Sequence, residues 1–94
     1  MEHRKDLEDI IKKYGRHNQQ MKAIEEMAEL TQAICKQKTN NDPKQYLPNN
    51  EQIIEELADA KIMIDQLMII YGEDMVMEVV KEKIQRQKVR MLNE

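Results

Sequence analysis

The chain has 94 residues, of which 35% are charged and 3% aromatic, with two Gly, two Pro and no Phe or Trp; this composition is typical of a single all-α domain covering residues 1–94. A domain of this length buries roughly two thirds of its unfolded surface, which excludes a deep catalytic cleft combined with a separate recognition domain and favours a site completed by a second subunit. The formal net charge of −3 argues against a nucleic acid polymer as partner, because phosphate backbones are held by basic surfaces.

Apolar periodicity predicts the first two helices. One covers residues 2–14 and ends at Gly15, at a position where helices favour a left-handed residue. The next begins at about His17 or Asn18 and runs to Lys38. Its apolar residues form a broad stripe at helical spacing, made of Met21, Ile24, Met27, Ala28, Thr31, Ile34 and Cys35.

Residues 39–50 break the periodicity and concentrate Asn, Asp and Pro, which predicts a loop. Asn49 or Asn50 is placed to cap the third helix, predicted over residues 51–71. Apolar side chains cover almost the whole circumference of this helix, so we expect it to be central and buried.

Gly72 ends the third helix, and Glu73 and Asp74 open a fourth that runs into a basic stretch through Lys88 and Arg90. The pattern therefore predicts an all-α fold, a small bundle of about four helices completed by oligomerisation.

The single cysteine, Cys35, excludes an internal disulfide framework and fits a reducing compartment. We expect it to be a small buried or half-buried apolar residue rather than a nucleophile. Residues 1–6 are charged and lack an apolar signal region, and no stretch reaches the roughly 20 apolar residues that a membrane span needs. The sequence thus predicts a soluble, cytoplasmic protein with no membrane partner.

Two acidic phrases share one pattern, Glu-x-x-Glu in the second helix and Glu-x-x-Asp in the third. In each phrase the two acids lie about one turn apart on one helix face, Glu26 with Glu29 and Glu56 with Asp59. Two such helices packed side by side direct four carboxylates to one point. Because carboxylates and water suit hard divalent cations, the predicted cofactor is magnesium, with manganese as a substitute.

A di-iron site and a set of salt bridges are the two alternatives to magnesium at these acids. A di-iron site would need Glu-x-x-His repeats, whereas His3 and His17 both precede the acidic phrases. Salt bridges to Lys or Arg of a neighbouring helix would also relieve buried carboxylates, which are expensive without a partner. The acidity of both pairs favours the cation.

The order of these phrases also resembles a known family. Residues 20–30, Gln-Met-Lys-Ala-Ile-Glu-Glu-Met-Ala-Glu-Leu, then the polar loop, residues 55–59, Glu-Glu-Leu-Ala-Asp, and finally Lys83 with Arg86 look like MazG-type nucleotide pyrophosphohydrolases over about residues 15–90. The resemblance implies an all-α fold assembled as homodimers or homotetramers. It also implies magnesium-dependent cleavage of ribo- or deoxyribonucleoside triphosphates into the monophosphate and pyrophosphate, in nucleotide-pool house-cleaning.

The resemblance assigns metal binding to Glu26, Glu29, Glu56 and Asp59. Glu25 and Glu55 stand one residue before the first acid of each pair, where either is a candidate to orient or deprotonate the attacking water. Lys83 and Arg86 lie one helical turn apart and are candidates to bind the polyphosphate. Solvated helix surfaces explain these four flanking residues as well.

The sequence offers few candidate residues for recognition of the nucleobase. Relatives often stack the base on an aromatic side chain, and this chain offers Tyr14, Tyr46 and Tyr71, of which we expect Tyr71 to belong to the core. His17 and Gln20 are candidates for hydrogen bonds to base or sugar. Helix capping and exposure to solvent account for them equally well.

Two competing functions complete the predictions. One is a non-enzymatic helical module, in which the apolar surface of residues 53–71 mediates self-association or binds another helical protein. The other keeps fold and metal but acts on a different phosphoanhydride, such as phosphoribosyl-ATP or a nucleotide sugar.

Overall fold

A computed structural model describes residues 1–38 and 49–94, except for the side chain of Lys38. Within these ranges the chain forms four α-helices and no strand: α1 (Arg4–Tyr14), α2 (Arg16–Lys38), α3 (Asn50–Tyr71) and α4 (Glu73–Leu92). This confirms the predicted all-α fold of four helices. The loop predicted over residues 39–50 lies outside the described residues as far as residue 48, as does Tyr46.

Glycine ends two of the helices, as predicted. Gly15 has φ 91° and Gly72 has φ 110°, a backbone region that L side chains rarely adopt. Their amides donate 2.8 Å hydrogen bonds to the carbonyl oxygens of Ile11 and Met68, so the last turns of α1 and α3 are closed.

Asn49 holds the N-cap position of α3 but makes no side-chain cap. Its Nδ2 instead donates a 2.9 Å hydrogen bond to the carbonyl oxygen of Ala33 in α2. At the other end of the pair, Gln19 Nε2 donates a 2.8 Å hydrogen bond to Gln66 Oε1. These two links show that α2 and α3 run antiparallel.

The α2–α3 pair is the largest helix contact, and α3 also packs against α1 and α4. Small residues bring the two helices together, with Ala23 and Ala33 of α2 and Ala60 of α3 each no more than 2% exposed. Met63 of α3 and Leu7 of α1 complete the buried apolar core of the described residues. The predicted central position of α3 is therefore confirmed.

The face of α2 that meets α3 is not its most apolar one. Gln19 and Glu26 lie on the buried side with the alanines, whereas Ile24 is 58% and Ile34 41% exposed. Cys35 is also exposed, so the expectation of a buried or half-buried cysteine is wrong. Close approach of two backbones requires small side chains, and on α2 these lie between the polar residues rather than in the apolar stripe.

The expectation that α3 is buried all round is wrong for the single chain. Ile54, Leu57 and Ile64 are 65%, 55% and 44% exposed. Tyr71, which we expected in the core, is 57% exposed. Three neighbouring helices cover only part of the circumference of α3, so an apolar side of it faces solvent.

None of the helices in the two described ranges is long enough and apolar enough to cross a membrane.

Candidate metal centre

Three carboxylates from two helices meet beside the α2–α3 contact. One oxygen from each of Glu26, Glu29 and Glu56 lies within 4.8 Å of the others. Glu26 and Glu29 are one turn apart on α2, and the antiparallel packing brings Glu56 of α3 opposite them. The structure therefore brings together three of the four acids that the sequence proposed as metal ligands.

Two of the three acids in this cluster are at least partly withdrawn from solvent, whereas Glu29 is exposed. Glu26 is 8% exposed and Glu56 is half-buried, and the Oε2 atom of each is buried with no hydrogen-bond partner among the described residues. The other oxygen of Glu26, Oε1, accepts an ion pair from Lys22 Nζ at 3.1 Å. A buried carboxylate oxygen without a partner is costly, so the arrangement calls for a positive charge or a proton between the two helices.

The pKa shifts in the cluster also indicate that a positive charge is missing there. The pKa of Glu29 is raised, first by repulsion from Glu26, then by burial and by repulsion from Glu56. The pKa of Lys22 is raised as well, chiefly by its hydrogen bond to Glu26. Both shifts have one cause, an excess of negative charge at the point where the carboxylates converge.

The donor set fits a hard divalent cation. Three carboxylate groups supply oxygen ligands only, which suits Mg²⁺ or Mn²⁺, and water is the usual ligand for the remaining positions of Mg²⁺. The salt-bridge alternative required a cation from the neighbouring helix, but Lys22 lies on the same helix as Glu26, one turn earlier. The Lys22 side chain is 53% exposed and pairs with Oε1 of Glu26, which leaves Oε2 of Glu26 without a partner among the described residues. The two unpartnered oxygens are therefore the observation that favours a cation.

A cleft of about 510 Å³ opens beside the carboxylates. Glu29 and Glu56 form part of its wall together with Gln32, Ala33, Lys36 and Gln52. Two amides and an ammonium group near the acids provide donors for a phosphate-bearing ligand. The sequence analysis did not single out Gln32, Lys36 or Gln52. A signal was present, because Gln32 and Lys36 follow Glu29 by three and seven residues on the same face of α2. Gln52 likewise precedes Glu56 by four residues on α3.

The remaining predicted acids lie outside this group. Asp59 is exposed, and the cluster found among the described residues does not include its carboxylate. Glu25 and Glu55 are also exposed. Glu25 Oε2 lies 4.0 Å from Lys22 Nζ, at the limit of an ion pair.

Lys83 and Arg86 line a second cleft, of about 290 Å³, together with Gln87 and Arg90 on α4. This cleft shares no lining residue with the one beside the carboxylates. The structure thus groups the predicted phosphate-binding pair with a third cation, Arg90, but does not place the pair in the wall of the carboxylate cleft.

The two residues proposed for base or sugar recognition have different surroundings. His17 is exposed. Gln20 Nε2 donates a 2.8 Å hydrogen bond to the hydroxyl oxygen of Tyr71, and the Arg16 guanidinium lies 5.0 Å from the centre of the same ring. Gln20 therefore has a structural partner, and the exposed Tyr71 is held between two side chains of α2.

Comparison with protein-family models, with curated proteins and with solved structures finds no match for this chain.

Proposed function

We propose that this protein is a Mg²⁺-dependent nucleoside triphosphate pyrophosphohydrolase that converts (d)NTP to (d)NMP and pyrophosphate. The observation that carries the proposal is the pair of buried, unpartnered oxygens on Glu26 and Glu56, which converge with Glu29 from two helices. We further propose that the enzyme is a cytoplasmic homodimer or homotetramer and that its role is the removal of unwanted nucleotides.

In this proposal Glu26, Glu29 and Glu56 hold the metal. Asp59, one turn after Glu56, is the fourth proposed metal ligand. When bound, Mg²⁺ neutralises triphosphate oxygens and lowers the pKa of an attacking water. The 510 Å³ cleft, with Lys36 in its wall, receives the polyphosphate.

The roles of the flanking residues are separate parts of the proposal. Glu25 and Glu55 are the candidates to accept the proton of the attacking water. Lys83 and Arg86, which line a separate cleft on α4, are the candidates to bind the polyphosphate from outside the carboxylate cleft, since a guanidinium can bind two phosphate oxygens at once. His17 and Gln20 are the candidates for the base or sugar.

The test is pyrophosphate release from a panel of ribo- and deoxyribonucleoside triphosphates, with Mg²⁺ or with EDTA. We expect equal amounts of monophosphate and pyrophosphate, dependent on Mg²⁺ and lost in Glu56→Gln. The matched control is Glu78→Gln, which removes an exposed glutamate of α4 and leaves the activity unchanged. Silence across the panel, or equal activity in both variants, would overturn the proposal.

A non-enzymatic module for helical association is the second candidate function. The exposed apolar residues of α3, such as Ile54 and Leu57, favour it. It predicts no hydrolysis of any nucleotide and no effect of Mg²⁺ on the melting temperature. Activity on phosphoribosyl-ATP or a nucleotide sugar, with the nucleoside triphosphates untouched, would point to the third candidate, a different phosphoanhydride substrate.

A further inference from the structure

The last helix, α4, is the one described helix without a buried residue. It packs against α3, and Arg4 of α1 forms an ion pair with Glu73 in its first turn. Glu73 and Val76 are half-buried, whereas every residue from Met77 to Leu92 is exposed. A helix gains most of its stability by packing an apolar face, so the exposed length of α4 lacks its main source of stability within the described chain.

A row of mostly apolar residues runs along one side of this exposed length. Its members follow one another in alternating steps of three and four residues, and they are Met77, Val80, Ile84, Gln87 and Met91. We call this row the α4 seam. Its four apolar members are 49%, 37%, 57% and 62% exposed. Steps of three and four residues keep side chains on one helix face, which is the pattern of a helix that pairs with another helix.

The seam continues the side of α4 that packs against α3. The half-buried Glu73 and Val76 precede Val80 by seven and four residues, which places all three on one side of the helix. No other side of α4 is apolar along its whole length. Outside the seam the exposed apolar residues are Met75, Val79, Val89 and Leu92, and Glu82 and Arg86 continue the side that begins with Met75 and Val79. The seam is therefore the apolar face of α4.

Cations flank the seam on both sides. Each stands one position before or after a seam residue, and the four are Lys81 and Lys88 on one side and Lys83 and Arg90 on the other. None of the four forms an ion pair with another of the described residues. Glu78 and Glu82, the two acids of residues 77–92, lie on the side of the helix away from the seam. Both edges of the seam are therefore positively charged.

The charge of these edges selects the partner. When two helices pair, the residues that flank the apolar row of one helix face those of the other. Two copies of α4 would bring cations against cations in a parallel or an antiparallel pair, which opposes pairing of α4 with itself. A helix with an apolar row of its own and carboxylates beside that row complements both the seam and its edges.

An anionic membrane surface also attracts cations, but α4 fits it poorly. A helix that lies on a membrane has a broad apolar face with aromatic residues, whereas the seam is a single row and residues 73–92 contain no aromatic residue. Gln87 also interrupts the row. A polar side chain within an apolar row is a feature of paired helices, in which it fixes the register.

We propose that the α4 seam binds an acidic amphipathic helix of another protein, whose apolar residues pack on the seam while its carboxylates meet the four flanking cations. The seam shares no residue with the cleft beside the carboxylates, so the inference does not depend on the proposed enzymatic function. Lys83 is the one flanking cation that the proposed function also uses. The variants that test the inference therefore alter the opposite edge, Lys81 and Lys88.

The test measures binding of designed peptides to the full chain. The peptides are helices of about 21 residues with Leu along one row, and they carry either Glu or Lys on both edges of that row. Fluorescence anisotropy of the labelled peptides, in EDTA and without nucleotide, gives the dissociation constants. We expect saturable binding of the acidic peptide, which weakens as salt is added, and binding of the basic peptide that is at least about tenfold weaker.

Reversing one edge of the seam tests the charge requirement. We expect Lys81→Glu/Lys88→Glu to raise the dissociation constant of the acidic peptide by at least about tenfold and to lower that of the basic peptide. The matched control is Lys12→Glu/Lys13→Glu, which makes the same change in net charge at two exposed lysines of α1 and leaves both constants within about twofold of the wild type.

Ile84→Glu tests the apolar requirement at the centre of the seam. We expect it to raise the dissociation constant of the acidic peptide by at least about tenfold, since a carboxylate would then be buried against Leu. Its control is Ile24→Glu on α2, because Ile24 is 58% and Ile84 57% exposed. Circular dichroism reports whether both variants retain their helices. If Ile84→Glu loses helix, the lysine variants decide, because they change only exposed charges.

The inference is overturned if the wild type does not bind the acidic peptide, if it binds both peptides equally, or if the control variants lose as much affinity as the seam variants. Vesicles that contain phosphatidylserine provide the remaining comparison. Binding of the wild type to these vesicles, without binding of the acidic peptide, would assign the cations of α4 to a membrane surface instead of a partner helix.

Discussion

The contact between α2 and α3 contains two groups of buried polar side chains, and they differ in how they are satisfied. Gln19 and Gln66 are 7% and 1% exposed and are joined by a 2.8 Å hydrogen bond. Further along the same contact, Glu26 and Glu56 each have a buried oxygen with no partner among the described residues. Within residues 1–38 and 49–94, the first group therefore has its partner and the second lacks one.

This difference separates a structural feature from a binding feature. A neutral amide pair joined by a hydrogen bond fixes the register of two helices at little cost. Carboxylates that converge without a cation raise the energy of the folded chain, and an external cation removes that penalty. We therefore expect the amide pair to matter for stability and, under the proposed function, the carboxylate cluster to matter for activity.

The two groups of side chains are expected to differ most in their effect on enzymatic activity. We expect Glu56→Gln to lower Mg²⁺-dependent pyrophosphate release by at least about a hundredfold, since even changes beyond the ligands of a metal commonly cost about 10–100-fold. Gln66→Leu is the counterpart in the other group and keeps the wild-type dependence on Mg²⁺. Comparable losses in both variants, after correction for folded protein, would erase the distinction between the two groups.

The same Gln66→Leu change also breaks the amide pair, and its second expected effect is on the free energy of unfolding. It leaves Gln19 buried without its partner, which lowers the free energy of unfolding by about 1–3 kcal/mol. Urea unfolding of this variant and of the double variant Gln19→Leu/Gln66→Leu measures the effect. We expect the double variant to recover much of the loss, because two apolar side chains then replace two polar ones. A double variant that is less stable than the single one would show that the two glutamines contribute more to stability than their mutual hydrogen bond.

The pH dependence of stability tests the repulsion within the cluster. The pKa of Glu29 is raised in the folded chain above its ordinary value of 4.5. As the pH falls from neutral through the raised pKa towards 4.5, the folded chain takes up a proton before the unfolded chain does, so this residue adds stability as the pH falls. Below its ordinary pKa the two states are equally protonated and the gain is complete.

Melting temperatures in EDTA between about pH 7 and pH 5 measure this contribution as the difference between the wild type and Glu29→Gln. We expect the wild type to gain on the variant as the pH falls, and Glu78→Gln to follow the wild type. Parallel curves for the wild type and Glu29→Gln would show that repulsion at Glu29 is negligible.

The smallest expected effect concerns Lys22, whose ammonium lies 3.1 Å from Glu26 Oε1. Replacing it by Gln removes a positive charge that competes with the cation, so Mg²⁺ binding tightens by about two- to fivefold. Calorimetric titration of Lys22→Gln checks this, with Lys12→Gln on α1 as the control. Weaker binding in Lys22→Gln would mean that the ammonium supports the site instead of competing with it.

Helix boundaries were predictable because their signals are local. Gly15 and Gly72 end helices through their own backbone conformation, and the predicted limits of the helices agree with the structure to within about two residues. Glu26, Glu29 and Glu56 could be selected because a spacing of three residues on two helices is visible in the sequence.

The packing face of α2 was not predictable from its apolar stripe. The buried Ala23 and Ala33 contribute little to an apolar pattern, whereas the exposed Ile24 and Ile34 dominate it. The same ambiguity led to the wrong expectations for Cys35 and Tyr71. Apolar residues that lie in the core and apolar residues that are exposed contribute to one periodic pattern, which does not tell them apart.

The position of Asp59 was not predictable either. Its spacing from Glu56 places both on one face of α3, but the rotation of that face towards α2 depends on which residues pack, here Ala60 and Met63. Glu29 on α2 and Asp59 on α3 are both exposed and each follows the first acid of its pair by three residues, yet of these two only Glu29 joins the cluster found among the described residues.

The oxygens of Glu26 and Glu56 that lack a partner among the described residues are the proposed site of a divalent cation. Calorimetric titration of the wild type and of Glu56→Gln with Mg²⁺, in the absence of nucleotide, tests it most directly. We predict saturable binding in the wild type that Glu56→Gln weakens by at least about a hundredfold, while Glu78→Gln binds as the wild type does. Absence of binding in the wild type, or equal binding in all three proteins, would contradict the account and would make the carboxylate cluster an unrelieved charge in the fold.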